Sequence, residues 1–350
     1  DTDRSRGLGD VYKRQAMKYC RLGRTGLYVS KLCLGTANFG TGKSSGKGDW
    51  GVVDEKGAFR IMDYALDCGI NFFDTANVYG GIETRGLTET IIGNWFKQGN
   101  GRREKVVLGT KVGRVFEKSD LDGPNNVEGL SLYKIRRHVE ASLTRLQTDH
   151  LELIQMHKAD PLTGWDEIWE AFEGLVRSGK ADYVGSSNHD AWQIMKAQEA
   201  ARRRGFMGLV NEQHLYTPLA RTPELELLPM VKDQGIGITI FSPLFRGLLG
   251  IDAFHPEKRP MNAESRKLFE KYRDQAEQYS KLCRELGETE ANVTFAWELS
   301  RPEITSVIVA PTCIEDLSSV LKSVDIVLQE DVLRKIDSIF PPTVEASPYI

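Results

Sequence analysis

Short apolar runs rich in β-branched and aromatic residues recur along the chain, and longer amphipathic stretches separate them. Such runs suit buried parallel strands. They predict strands at 32–37, 71–75, 106–112, 151–157, 182–187, 209–213, 237–242 and 305–310, after an N-terminal hairpin of Tyr19–Arg21 and Tyr28–Val29 turning at Arg24-Thr25-Gly26. The stretches 57–68, 84–97, 131–146, 164–178, 191–204 and 222–234 show apolar residues at helical spacing, clearest in LYKIRRHVEASLTRL and WDEIWEAFEGLVRSG. Gly69, Gly179, Gly205 and Gly235 fall at helix ends, where a left-handed cap is favoured. Eight strands alternating with helices predict an α/β fold, a (β/α)8 TIM barrel. A doubly wound open sheet is the alternative, weakened because no GxGxxG follows the first strand. The seventh unit carries a long loop and helix insertion, with a charged helix over 264–286 and another over 290–299.

Four polar residues interrupt this pattern where strands end: Asp74 and Tyr79 in NFFDTANVYG, Lys111 in VVLGTKV, and His157 in LELIQMH. A buried charge is costly unless paired, so these groups are expected to meet. Neighbouring parallel strands lie roughly 4.8 Å apart, which brings the ends of the second, third and fourth strands within reach of one another. A phenol releases its proton poorly at neutral pH, and an adjacent ammonium favours the phenolate. The spacing therefore points to Tyr79 as a proton donor tuned by Lys111. Asp74 is expected to hold the lysine, and His157 to orient a carbonyl or relay a proton. That constellation suits carbonyl reduction or alcohol oxidation.

Composition sets the surroundings. The chain has 350 residues, 40% hydrophobic and 27% charged, which is ordinary for a globular protein. A net charge of -3 gives no electrostatic case for nucleic acid or an anionic membrane. No apolar stretch approaches bilayer length. Five scattered cysteines (Cys20, Cys33, Cys68, Cys283 and Cys313) without CxxC spacing read as free thiols of a cytoplasmic protein, with Cys33 and Cys313 in the core. His138, His150, His189, His214 and His255 show no ligand spacing, so no metal site is expected. Gly42-Lys43-Ser44 lacks the context of a phosphate-binding loop. Residues 1–16 are polar and aperiodic and read as an artefactual or disordered tail, leaving 17–350 as a single barrel domain.

The runs FDTANVYG, LGTKV, QMHK, VGSSN, EQHLY and FSPL, in that order, resemble the aldo-keto reductase family, from Met17 to about Leu321. The family is a (β/α)8 barrel that reduces small aldehydes and ketones with NADPH or, less often, NADH. The resemblance makes Asp74, Tyr79, Lys111 and His157 the catalytic tetrad, with Tyr79 the acid. It implies backbone cofactor contacts from Gly35 and Thr36 of the first strand. Ser187, Asn188 and Gln213 match the carboxamide site, Tyr216 the ring that packs on the nicotinamide, and Ser242, Pro243, Leu244 and Arg246 the pyrophosphate loop. At the adenosine end the pattern departs: Asp252 stands where relatives carry a lysine, and Ala310, Thr312, Asp316, Ser319 and Val320 replace the usual residues after strand eight. Carboxylates suit a ribose hydroxyl better than a phosphate, so NADP is the family expectation and NAD remains open. Trp50 is a candidate for the substrate pocket, shaped by loops 38–52, 113–130 and 245–262. The rival reading is a redox-sensing regulatory subunit like the potassium-channel β-subunits of the same family. A Schiff-base lyase is disfavoured by Asp74 beside Lys111, and a glycosidase by too few strand-end acids.

Overall fold

The computed structural model describes residues 17–42, 51–81, 84–114, 129–258 and 261–342. The expected hairpin is present: β1 (Tyr19–Arg21) pairs antiparallel with β2 (Tyr28–Ser30). Eight parallel strands follow: β3 (Leu32–Gly35), β4 (Phe72–Asp74), β5 (Val107–Val112), β6 (Leu151–Met156), β7 (Ala181–Ser187), β8 (Leu209–Leu215), β9 (Gly237–Phe241) and β10 (Ile304–Val309). They close in that order, with β10 beside β3, so the barrel reading holds and the open sheet does not.

Helices α1 (Glu55–Asp67), α2 (Leu87–Lys97), α3 (Leu132–Leu146), α4 (Trp165–Arg177), α5 (Ala191–Arg203) and α6 (Leu227–Gln234) cover the first seven strands. Their ends follow the local chemistry. Asp54 and Ser131 accept hydrogen bonds from Gly57 and Lys134 as N-caps of α1 and α3. Gly235 closes α6 in the left-handed conformation. The single helix expected over 264–286 is two, α7 (Ala263–Lys271) and α8 (Arg273–Glu285), broken at Tyr272. The ring of Tyr272 stands edge-on to Phe245 at 6.4 Å, which ties the break to the loop after β9. Then come α9 (Glu290–Leu299) and two helices not foreseen, α10 (Ile314–Val320) and α11 (Glu330–Ile339).

The barrel interior is layered, because residues two apart on a strand share a face. At the N-terminal end Phe72, Val107, Leu153, Val210, Cys33 and Ile308 pack with Leu22 and Val29 of the hairpin, which plugs the barrel. Gly23, at a left-handed φ of 54°, makes this seat possible: a Cβ there would meet Val210 O at 2.5 Å. Above this apolar floor the inward residues become polar, and the charged ones collect at the C-terminal mouth. Cys33 and Cys283 are buried free thiols, whereas Cys313 is exposed, because it lies in the loop beyond β10 rather than in the strand. Residues 1–16 and Trp50 lie outside the described residues, as does most of loop 113–130. Among the described residues no helix is long and apolar enough to cross a membrane.

Candidate active site at the barrel mouth

The register of the strands brings the tetrad together. Asp74 ends β4, Lys111 sits next to last on β5, and His157 follows β6 directly. The Lys111 ammonium is wholly buried and spends its donors on Asp74 Oδ2 at 2.6 Å, Thr75 O at 2.8 Å and Tyr79 Oη at 3.3 Å. Burial works against its charge, but Asp74 and Tyr79 outweigh it and hold Lys111 above the ordinary ammonium value. Asp74 Oδ1 accepts from two amides, Gln213 Nε2 at 2.8 Å and Gln155 Nε2 at 3.2 Å. The buried carboxylate is thus paired and solvated by protein donors, as burial demands.

Tyr79 lies in the loop after β4, its ring edge-on to His157 at 5.9 Å. Lys111 donates to the phenol oxygen, so the phenol's own proton points away from the ammonium. The balance of forces on Tyr79 differs from the sequence reading. Burial raises its proton affinity more than Lys111 lowers it, with Asp74 adding to the rise and Arg114 opposing it, and the net shift is upward from 10.0. Lys111 therefore limits a burial penalty and does not by itself make the phenol more acidic than usual. His157 is also buried, and desolvation, Lys111 and Arg114 push its imidazole well below 6.5. A neutral imidazole keeps one N–H and one lone pair, so it orients an oxygen by hydrogen bonding without carrying charge. Its Nδ1 has no hydrogen-bond partner among the described residues.

The other assigned residues divide. Asn188, exposed at φ 58°, sends Nδ2 to His157 O at 3.2 Å and to Ser187 Oγ at 2.9 Å, so the loop after β7 is tied to the tetrad. Gln213 is tied to it through Asp74. Ser242 and Arg246 are exposed on the loop after β9, at left-handed φ values of 49° and 58°, with Phe245 at 45° between them. Pro243 is buried, and Leu244 packs under this loop, against Gly250. Non-glycine residues in that conformation are costly and gather at ligand-binding loops. Ala310 and Thr312 are exposed after β10, and Thr312 donates to Asp316 Oδ2 from its N–H at 3.0 Å and its hydroxyl at 2.6 Å. Asn188, Ser242, Arg246, Ala310 and Thr312 line the β7–β10 half of the mouth, opposite the tetrad on β4–β6.

Two expected cofactor contacts need correction. Tyr216 has no surface to give a nicotinamide: it is fully buried, its ring lies 5.2 Å from Trp297, and its hydroxyl donates to Glu224 Oε1 at 2.6 Å. Thr36 is likewise buried, and its backbone groups are both used within the protein: the N–H, like Oγ1, donates to Asp74 O, at 3.0 and 2.9 Å, and its carbonyl accepts from Phe39 N–H at 2.9 Å. It fixes the end of β4. At Gly35 the missing Cβ is required by the barrel wall, since one would meet Ile308 Cγ2 at 2.4 Å. Thr75, Gln155 and Arg114 were not singled out by sequence. Gln155 could have been, because it lies two residues before His157 and so shares its inward face.

Among the described residues no three His, Cys, Asp or Glu side chains gather to hold a metal ion. Fold and mouth together define a (β/α)8-barrel protein with a buried ion pair, phenol and imidazole at its C-terminal face. The chain belongs to the aldo/keto reductase family, whose model matches residues 31–340, and it is an oxidoreductase of that family. It is 55% identical to the uncharacterized oxidoreductase YrpG of Bacillus subtilis (strain 168), over 93% of this chain and 96% of that one. It is 30% identical to norsolorinic acid reductase A of Aspergillus parasiticus, over 90% of this chain and 79% of that protein. An Arabidopsis thaliana protein named "Probable voltage-gated potassium channel subunit beta" is 33% identical, over 92% and 96% respectively.

Proposed function

We propose that the protein reduces a small aldehyde or ketone with a nicotinamide cofactor, Tyr79 supplying the proton. One observation carries this: Lys111, clamped by Asp74 Oδ2 and Thr75 O, holds the phenol oxygen of Tyr79 at the mouth of the barrel. The donor set on the opposite rim fits a dinucleotide. Ser187, Asn188 and Gln213 would hold its carboxamide, Ser242 through Arg246 its pyrophosphate, and the loop with Ala310, Thr312 and Asp316 its adenosine. When bound, NAD(P)H supplies the hydride to the carbonyl carbon. Tyr79 gives its proton to the oxygen as negative charge develops there, and the resulting phenolate is stabilised by the Lys111 ammonium. Neutral His157 hydrogen-bonds the same oxygen and fixes its direction. Positioned proton transfer of this kind is worth about 10² to 10⁴ in rate.

The adenosine end supports NADH as a working cofactor. Arg246 is paired with Glu264, and Lys258 Nζ lies 3.9 Å from Asp252 Oδ2, so carboxylates already face both cations. The test is NADH and NADPH consumption against a panel of aliphatic and aromatic aldehydes, for wild type and Tyr79→Phe. Turnover by wild type and a loss of about 10² or more in Tyr79→Phe is the expected result. Intact activity in that variant would overturn the mechanism, and tight cofactor binding without any turnover would favour the regulatory reading. A preference for NADPH of about a hundredfold, 2.7 kcal/mol, would sink the cofactor proposal.

A further inference from the structure

Between the apolar floor of the barrel and its charged mouth lies a polar layer with an ordered direction. Thr239 Oγ1 donates to Asn211 Oδ1 at 2.9 Å, Asn211 Nδ2 to Gln155 Oε1 at 3.2 Å, and Gln155 Nε2 to Asp74 Oδ1 at 3.2 Å. All three donors are fully buried, where aliphatic side chains commonly fill a barrel. Every link donates towards the carboxylate. Turning any amide over would set oxygen against oxygen, so the charge of Asp74 orders the whole row. The row in turn fills Oδ1 from below, which leaves Oδ2 turned to Lys111.

We infer that Gln155, backed by Asn211 and Thr239, is a positioning residue for the proton donor: it fixes the Asp74 carboxylate and, through Lys111, the place of the Tyr79 phenol. Gln213 also donates to Oδ1, but it is assigned to the cofactor as well and lies at the mouth. Among the described residues the Gln155 side chain hydrogen-bonds only to Asp74 and to Asn211 behind it. Without it Asp74 can rotate, and Lys111 follows the carboxylate away from the phenol oxygen, 3.3 Å distant. The charged and titratable groups acting on Tyr79 are Lys111, Asp74 and Arg114, with His157 against its ring. Loss of the lysine contact removes the strongest influence that lowers Tyr79, so its proton is held to higher pH.

The inference rests on Tyr79 being the acid, and the experiment keeps the two apart. Steady-state reduction of 4-nitrobenzaldehyde is measured across pH for Gln155→Met, Thr239→Val, Thr239→Ser and Tyr79→Phe in the full chain. Gln155→Met is expected to lower kcat roughly ten- to hundredfold, with both KM values within about twofold. The alkaline limb of its kcat profile moves up by about half a pH unit or more. Thr239→Val, which loses only the last donor, shifts the limb the same way by less, and Thr239→Ser restores the wild-type profile. An unmoved limb in both Gln155→Met and Thr239→Val, with Tyr79→Phe inactive, overturns the inference and leaves the mechanism standing. An active Tyr79→Phe overturns both.

Discussion

The ion pair of Lys111 and Asp74 lends itself to a double-mutant cycle. Two unit charges about 3 Å apart attract by roughly 5 kcal/mol at an effective dielectric constant near 20. Taking each out of water costs several kcal/mol, so the pair as a whole is close to neutral for stability. Removing one partner is different. Lys111→Met leaves a buried carboxylate with only the amides of Gln155 and Gln213, and Asp74→Leu leaves a buried ammonium with Thr75 O and the phenol. Each single change is expected to cost about 3–5 kcal/mol. The double variant strands no charge and loses mainly the two amide hydrogen bonds, about 1–3 kcal/mol each. It should therefore be about as stable as either single variant, with a coupling energy of about 3–5 kcal/mol. Urea unfolding followed by tryptophan fluorescence and far-ultraviolet circular dichroism measures this, with coincident transitions as the check on two-state behaviour. Additive losses in the double variant would refute the account of the pair as a mutually dependent buried unit.

Two further predictions concern buried acids and bases. Glu298 on α9 is fully buried, neither carboxyl oxygen has a hydrogen-bond partner among the described residues, and burial raises it well above its ordinary 4.5. The unfolded chain ionises first, so this group costs stability as pH rises from about 4.5 towards the folded value. Glu298→Met should stabilise the protein at pH 7 by about 1–3 kcal/mol, read as a higher urea midpoint, and a lower midpoint would count against the argument. His157 works in the opposite sense. Its folded value is held below 6.5, so the unfolded chain takes up a proton first and stability falls as pH drops from 6.5 towards the folded value. Wild type should lose about 1.4 kcal/mol more than His157→Phe for each pH unit through that window, and equal losses in denaturation series at pH 7.5 and 5.5 would disprove it.

Much of the fold was legible because each barrel strand is a compact apolar run, and strand length and alternation survive burial. The tetrad was legible for a related reason: charged and phenolic groups at the ends of such runs have no cheap structural use. What sequence could not give was the side from which a residue is covered. Tyr216 follows β8, the place expected of a ring that packs on a ligand, yet Trp297, 81 positions later, takes its face. The amphipathic pattern over 264–286 runs unbroken, and only the packing of Tyr272 on Phe245 shows why the helix stops there. Tyr79 illustrates the same limit in electrostatics. The lysine beside it was readable, but the burial that outweighs the lysine is a property of the assembled mouth.

The hairpin beneath the barrel has a consequence for synthesis. Cys20 Sγ donates to Thr305 O across a sequence separation of 285, and Ser306 Oγ to Ser30 O across 276. The earliest described segment is therefore secured by β10, the last described strand to be made. At about 5–20 residues per second on the ribosome, that gap lasts roughly 15–60 s. For that interval the apolar floor that Leu22 and Val29 cover lacks Ile308, the member of the layer that β10 supplies. The step that closes the ring also seats the plug, so the completed barrel can form only once the C-terminal strand has emerged.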